Sequence, residues 1–243
     1  MRGKTCMLVG LLLSGCSDLY MPIEPAPLPQ VSPAFDGSQP TMTPDQAVAT
    51  FVQVIERVEP LAETLCRQRT RGINCDIEIV VDGRPNQPPN AFQTVDRSGR
   101  PIVGFTIALI ADARNADEIA FVMGHEAAHH IAGHIPRRSE SAQTSAILAS
   151  VLAQASGAGP EAVKAATSFG AEVGSRRYSK DFELEADALG TEIAYLAGFD
   201  PVRGAAFFSR LPDPGDQFLG SHPPNAQRQA LVAQTLARLR GAS

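Results

Sequence analysis

The sequence predicts an α+β fold that is mostly helical, with a small antiparallel sheet of about three strands. Its composition favours closely packed helices, because Ala and Gly are abundant, aromatic residues make up 6% and Trp is absent. Apolar residues recur at helical spacing in several segments, whereas short segments between residues 75 and 106 alternate as strands do. With 243 residues and 44% hydrophobic content, the chain is large enough for one full-sized domain.

The first helix is expected to begin with Thr43 as its N-cap and Pro44 at its first position, and to extend to about residue 65. Pro60 falls inside this pattern and should kink or break the helix, since proline removes a backbone donor. The strand predictions that follow are residues 75–81, 90–95 and 101–106. Residues 107–112 fit either a short helix or a continuation of the third strand.

The second half of the chain is predicted to be helical. Asn115, with Glu118 three positions on, is a strong helix start, and this helix should stop near Gly133. Further helices are expected at about residues 138–156, 161–173, 181–197, 201–210 and 225–240. The uncharged segment 144–159 fits a core helix or a membrane-surface contact; it is shorter than a membrane span, and we favour the core.

The N-terminus has the features of a targeting segment. Positive charge at residues 2 and 4 precedes an apolar run at 7–13, which is too short to span a bilayer. The run Leu13-Ser14-Gly15-Cys16 resembles the lipobox of bacterial lipoproteins. That resemblance implies a signal peptide at residues 1–15 and a lipid on the thiol of Cys16. An ordinary secretory signal or a short membrane anchor is the alternative.

The predicted domain organisation follows from this signal. Residues 16–42 are Pro-rich and non-periodic, which is typical of a tether, and residues 43–243 form the folded domain without repeats. Ser17 after the lipidated position favours the outer over the inner membrane, by resemblance to enterobacterial sorting rules. The expected location is therefore the periplasmic face of a bacterial cell envelope, and no transmembrane helix is expected in the mature chain.

Two of the four cysteines are expected to form a disulfide. Cys6 would leave with the signal and Cys16 would carry lipid, so Cys66 and Cys75 remain, nine positions apart. Closing so short a loop should stabilise the fold by roughly 2–3 kcal/mol. The alternative is a pair of buried free thiols. The net charge of −5 provides no basic footprint for nucleic acid and no polybasic membrane patch.

The pattern His125-Glu126-Ala127-Ala128-His129 is the strongest chemical signal in the chain. Residues four apart share one helix face, so both imidazoles can reach a single metal ion. Glu126 would then lie beside the open coordination position, where it could act as a base on water. Such a pattern arises by chance in roughly one chain of this composition in a few hundred. A third ligand is therefore needed to support the interpretation.

The best third ligand is Glu183, in the run Phe182-Glu183-Leu184-Glu185-Ala186-Asp187. Glu183 and Asp187 are four residues apart and share a helix face, whereas Glu185 points away. Glu183 can therefore bind metal while Asp187 accepts a hydrogen bond from a ligand histidine and fixes its orientation. A solvated acidic helix face is the alternative.

Together these motifs resemble the M48 metallopeptidases. The HEAAH run is followed 54 residues later by ELEAD, and Ser221-His222-Pro223-Pro224 with Arg228 six residues on is similar to a downstream element of that family. The resemblance implies a zincin-like metalloprotease domain whose active-site helix packs on a glutamate-bearing helix. It also implies one zinc ion (Zn2+) held by His125, His129 and Glu183, with Glu126 as base and Asp187 behind the ligands.

The remaining polar residues of these motifs receive different expectations. His222 would lie over the metal by resemblance, where it either donates to the oxyanion of the reaction intermediate or plugs the open position; a loop histidine without a role is the third possibility. Arg228 is expected to pair with a carboxylate. His130 and His134 are not expected to bind metal, because nine residues along a straight helix return His134 to the side opposite His125.

The expected function is that of a lipid-anchored, zinc-dependent endopeptidase that cleaves misfolded or misassembled envelope proteins, with Glu126 activating a zinc-bound water. A strand at the sheet edge would align the polypeptide substrate by backbone pairing, as known for peptide recognition. The alternatives are a non-cleaving, zinc-containing chaperone or assembly factor with His222 closing the site, and a structural lipoprotein with an accidental motif. Glu126 argues against both, because a binding-only site needs no base.

Overall fold

The fold is mostly helical with one small sheet, as predicted, and the computed structural model describes residues 41–177, 179–210 and 223–241 of the chain. The predicted signal peptide, tether and lipidation site at Cys16, and also His222, lie outside these ranges and stay predictions. In chain order the elements are α1 Pro44–Arg69, β1 Glu78–Asp82, β2 Ala91–Val95, β3 Pro101–Thr106, α2 Ile107–Asp112, α3 Ala116–Ile131, α4 His134–Ala155, α5 Pro160–Arg177, α6 Ser179–Leu196, α7 Pro201–Ala205, a 3₁₀ turn Ala206–Arg210 and α8 Asn225–Gly241.

The sheet is mixed, so the prediction of an antiparallel sheet is wrong for one of its two pairings. Its strand order is β1-β3-β2; β2 is antiparallel to β3, with Ala91 opposite Phe105, whereas β1 is parallel to β3, with Glu78 opposite Ile102. The turn around residues 96–100 is a hairpin turn between β2 and β3. The segment between β1 and β2 does not form a hairpin turn, because these two strands lie on opposite sides of β3.

Helix α1 continues through Pro60, so of the two effects expected there, a kink or a break, the break is wrong. Thr43 caps the helix as expected, accepting a hydrogen bond from the backbone N–H of Gln46, and 26 residues follow without a break. Pro60 itself lies on the exposed side. Val58 and Ala62, on either side of it, are fully buried, and their packing outweighs the cost of about 3 kcal/mol for an interior proline.

Helix α3 lies in the centre of the core and packs against α1, α6 and α7. Its residues Ile119, Phe121 and Met123 are fully buried. Where α3 crosses α6 the two backbones touch, because a Cβ atom added to Gly124 would come within 2.9 Å of the carbonyl oxygen of Gly190. Only glycine permits so close a crossing. The crossing brings together the two helices that carry the predicted metal ligands.

Helices α4 and α5 form a hairpin on the surface, so the expectation that residues 144–159 belong to the core is wrong. His134 is the only buried residue of α4, whereas Ile147 and Leu148 are exposed. The two helices pack on each other through small residues: a Cβ added to Gly174 would lie 2.4 Å from the carbonyl oxygen of Ser141. Such close packing leaves no groove between the helices for large apolar side chains, which therefore remain outside.

A disulfide between Cys66 and Cys75 joins the last turn of α1 to the loop before β1. In the same loop, the carbonyl oxygen of Asn74 lies 2.7 Å from Nε2 of His130, on the last turn of α3. This loop therefore contacts and stabilises the C-terminal end of α3. Within the described ranges, none of the helices combines the length and apolar character needed to cross a membrane.

Candidate metal centre

Three side chains bring their ligand atoms together where α3 meets α6. Nε2 of His125 lies 3.0 Å from Nε2 of His129, and each of these nitrogens lies 3.5 Å from one carboxylate oxygen of Glu183. Atoms bound at about 2.0–2.1 Å to a tetrahedral zinc ion lie roughly 3.3 Å apart. Two imidazoles and one carboxylate are also a common donor set of catalytic zinc sites. The residues present therefore fit a zinc ion that keeps one open position.

The local structure explains why these residues converge. His125 and His129 are one turn apart on α3, and His125 directly follows the Gly124 crossing, where α6 approaches most closely. Gly190 lies at the same crossing on α6, and Glu183 is about two turns before it. The backbone contact therefore fixes how far apart the two sets of ligands can be.

The outer nitrogen of His125 is held by a buried carboxylate. Its Nδ1 donates to Oδ1 of Asp187 at 2.9 Å, and Asp187 has no exposed surface. Arg228 of α8 donates two hydrogen bonds of 2.7 Å to the same carboxylate, and its guanidinium lies 3.7 Å from the ring centre of Phe208. This arrangement keeps a ring proton on Nδ1 and directs Nε2 towards the other two ligand side chains.

The electrostatics of this cluster favour a cation. Burial alone would keep His125 neutral, but Asp187 and Glu183 outweigh it and raise the pKa of His125 to about 10. Burial, and then the charge on His125, lowers the pKa of His129 to about 3. Burial alone would raise the pKa of Asp187, yet hydrogen bonds from Arg228 and His125 hold this pKa below its usual value. Two carboxylates thus face a position where positive charge is stabilised.

The outer nitrogen of His129 contacts His134, which the sequence analysis places on the opposite side of the helix. Its Nδ1 lies 2.7 Å from Nδ1 of His134, whose Nε2 lies 3.2 Å from Oε2 of Glu185. Arg137 donates to the same oxygen at 2.8 Å, and the ring of His134 stacks on Phe182. A metal-binding His129 carries its proton on Nδ1, so it donates to His134, which in turn donates to Glu185.

The placement of His134 opposite the site is therefore wrong, and the reason is local. Helix α3 ends at Ile131, and Gly133 has a left-handed φ of 67°, after which α4 starts in a new direction. The rotation of a straight helix does not apply across such a turn. Gly133 was the available signal, because it already marked the expected helix end. His130 instead contacts the Asn74 carbonyl, away from the ligands.

Two clefts flank the ligand cluster, and Glu126, His129 and Glu183 line both of them. The larger cleft, of about 320 Å³, is bordered by Ala91, and the smaller, of about 190 Å³, by Gln93. Both residues belong to β2, which is an edge strand of the sheet. Glu126 is thus placed between two spaces that a bound chain could occupy along the same strand.

Comparison with known proteins places most of the chain in one family. Peptidase family M48 matches residues 49–235. The beta-barrel assembly-enhancing protease of Escherichia coli is 33% identical over 113 residues, which cover 44% of this chain and 23% of that protein. A putative beta-barrel assembly-enhancing protease of Vibrio cholerae is 38% identical over 124 residues, 48% of this chain and 25% of that protein.

A plant protein is similar over a longer stretch of the chain. The mitochondrial metalloendopeptidase OMA1 of Arabidopsis thaliana is 31% identical over 137 residues, covering 55% of this chain and 27% of that protein. In each case the matched region is about a quarter of the relative's own length.

Proposed function

Because the chain belongs to peptidase family M48, we propose that it is a zinc-dependent endopeptidase of the bacterial cell envelope. The observation that carries the proposal is the convergence of His125, His129 and Glu183 on one point, with ligand atoms 3.0–3.5 Å apart. The three side chains come from two helices, and His129 and Glu183 are 54 positions apart in sequence. Neither helix alone supplies the three-ligand set that catalytic zinc sites use.

Each residue near the metal has a distinct task in this proposal. When bound, zinc would polarise the scissile carbonyl and lower the pKa of a water molecule. The carboxylate of Glu126 would serve as the base for the attacking water and as the donor of a proton to the leaving amine. Asp187 and His134 orient the ligand rings through their outer nitrogens. His222 is proposed to act above the metal, either by donating to the oxyanion or by closing the site.

The substrate is proposed to be a polypeptide in extended conformation. Edge strand β2 borders the cleft on either side of Glu126, so a bound chain could pair with its backbone and continue through both clefts. An extended substrate must first lose its own structure. This favours misfolded or misassembled envelope proteins, and the names of the bacterial relatives point in the same direction. The predicted lipid on Cys16 would hold the enzyme at the periplasmic side of a membrane, with the outer membrane favoured.

Casein digestion with metal analysis tests the proposal. The purified chain from Cys16 onwards should bind one zinc ion and cleave casein. Glu126→Gln should retain zinc but cleave about 10²–10⁴-fold more slowly, because it lacks the base. Glu56→Gln, on the exposed side of α1, is the matched control and should cleave at the wild-type rate.

His222→Ala separates the two tasks proposed for His222. Slower cleavage indicates a donor to the oxyanion, and faster cleavage indicates a plug. A chain that binds no zinc would refute the metalloprotease proposal. If zinc is bound but neither the wild type nor His222→Ala cleaves anything that Glu126→Gln spares, the non-cleaving assembly factor becomes the better interpretation.

A further inference from the structure

One face of α4 is apolar and open to solvent. Ile147, Leu148, Val151 and Leu152 are each 55–65% exposed, and we call these four residues the α4 face. At 100° per residue they fall within an arc of about 140°, so they form one continuous surface. A free-standing apolar surface of this kind on a soluble domain indicates an interaction site.

The hairpin is amphipathic across its two helices. Residues 141–160, which include the α4 face, contain no charged side chain. The exposed residues of α5 include Glu161, Lys164, Glu172 and Arg176, two acidic and two basic. The hairpin therefore has the uncharged α4 face on one helix and, on the other, exposed charged residues together with the exposed Phe169. Such an arrangement suits a structure that lies between an apolar phase and water.

The packing between α4 and α5 also suits an apolar phase. A Cβ added to Gly170 would lie 2.5 Å from the carbonyl oxygen of Ser145 and 2.7 Å from the Cβ of Ala149. Together with Gly174 this is a GxxxG contact against Ser and Ala, the small-residue packing by which helices associate in lipid. The hairpin is thus held together by close backbone contact, and it does not need its large apolar side chains for that purpose.

We propose that the α4 face inserts into one leaflet of a phospholipid bilayer at the boundary of headgroups and acyl chains. The uncharged part of α4, residues 141–155, is about 22 Å long, less than the roughly 30 Å of a hydrocarbon core. It therefore fits an interfacial position. The predicted lipid on Cys16 supports the same partner, because residues 16–42 can reach about 90 Å at most and keep the domain beside a membrane.

The chemistry of the segment favours lipid over a protein partner. Protein interfaces rely on Tyr, Trp, Phe, Met and Arg as anchors. Residues 141–160 contain none of these five residue types and consist of small, aliphatic and uncharged polar residues together with one proline.

The absence of Trp from the sequence allows a specific test in the full chain. Leu148→Trp places a single fluorophore on the α4 face, and Val48→Trp places one at a matched exposed position on α1. With phosphatidylcholine vesicles, the emission of Leu148→Trp should shift to shorter wavelength and be quenched by brominated acyl chains. The emission of Val48→Trp should not change. Adding Leu152→Asp to Leu148→Trp should abolish the shift.

Three outcomes would overturn the proposal. The first is unchanged Leu148→Trp emission with vesicles. The second is a shift that appears without vesicles as protein concentration rises, which would indicate a second copy of the chain. The third is a shift caused by unfolded casein alone, which would indicate a polypeptide partner. An unchanged urea-unfolding midpoint in Leu148→Trp shows that the fold is intact, and neither this control nor the emission result depends on whether the chain is a protease.

Discussion

The two histidines of the candidate metal centre are supported in opposite ways. His125 donates a hydrogen bond to Asp187, which is completely buried and pairs with the buried Arg228. His129 contacts His134, which in turn pairs with Glu185. Glu185 and its second partner Arg137 are both about half-exposed. The first support belongs to the protein core and the second reaches the surface. We infer that the first maintains both the fold and the metal site, whereas the second acts mainly on the metal.

The substitution Asp187→Ala should have the largest effect. It removes the carboxylate that accepts two hydrogen bonds of 2.7 Å from the buried Arg228 and leaves only the more distant Glu183 oxygen at 3.4 Å. Breaking a buried ion pair in this way costs about 3–5 kcal/mol. Urea unfolding of the metal-free protein measures this loss. Asp181→Ala, at an exposed position on the same helix, is the control and should change the free energy of unfolding by less than about 0.5 kcal/mol. A loss below 1 kcal/mol in Asp187→Ala would contradict the structural role of the pair.

The substitution His134→Phe should have an intermediate effect that is confined to metal binding. The new ring can still stack on Phe182, but it offers no acceptor to Nδ1 of His129. Loss of such an outer partner lowers zinc affinity about 10–100-fold. Competition with a zinc-sensitive chelating dye measures the affinity. His130→Phe is the matched control and should bind zinc as the wild type does; equal affinities in the two variants would show that His134 does not support the site.

The substitution Glu185→Gln should have the smallest effect. Glu185 is half-exposed, so water and salt screen its charge, and we expect zinc affinity to fall by less than about tenfold. Because Glu185 acts through His134, the double variant with His134→Phe should bind zinc no more weakly than His134→Phe alone. Additive losses in the same dye competition would mean that Glu185 acts on the metal by another route.

Local patterns in the sequence were sufficient where a strong periodicity and a cap coincide. The start of α3 at Asn115 and the shared face of Glu183 and Asp187 are of this kind, and the fold class follows from the same signals. Strand pairing was less accessible, because alternation identifies β1 but not the strand beside which it lies. The continuation of α1 through Pro60 was also not predictable from local sequence. It depends on the burial of Val58 and Ala62, and residues distant in sequence provide that burial.

The errors at the site and at the hairpin share a cause. Both His134 and the α4 face follow Gly133, where the chain leaves the direction of α3. A helical pattern gives the angles among its own residues, but not the direction in which the whole helix faces. The apolar residues between positions 147 and 152 therefore led to the prediction of a core helix, although they lie on the surface. The position of His134 could only be established from the turn itself.

The crossing of α3 and α6 at Gly124 and Gly190 has a consequence for the chain between these helices. Because one backbone contact sets the distance between the two groups of ligands, that distance does not depend on the length of the segment between the helices. Closing a connection of twice the length costs only about 0.6 kcal/mol more. Beyond His134 and Arg137, which support His129, the α4–α5 hairpin can therefore be lengthened, shortened or replaced with little effect on the arrangement of the three ligand side chains. Under the two proposals, the residues that carry the chemistry and those that contact the membrane lie in separable parts of one continuous chain.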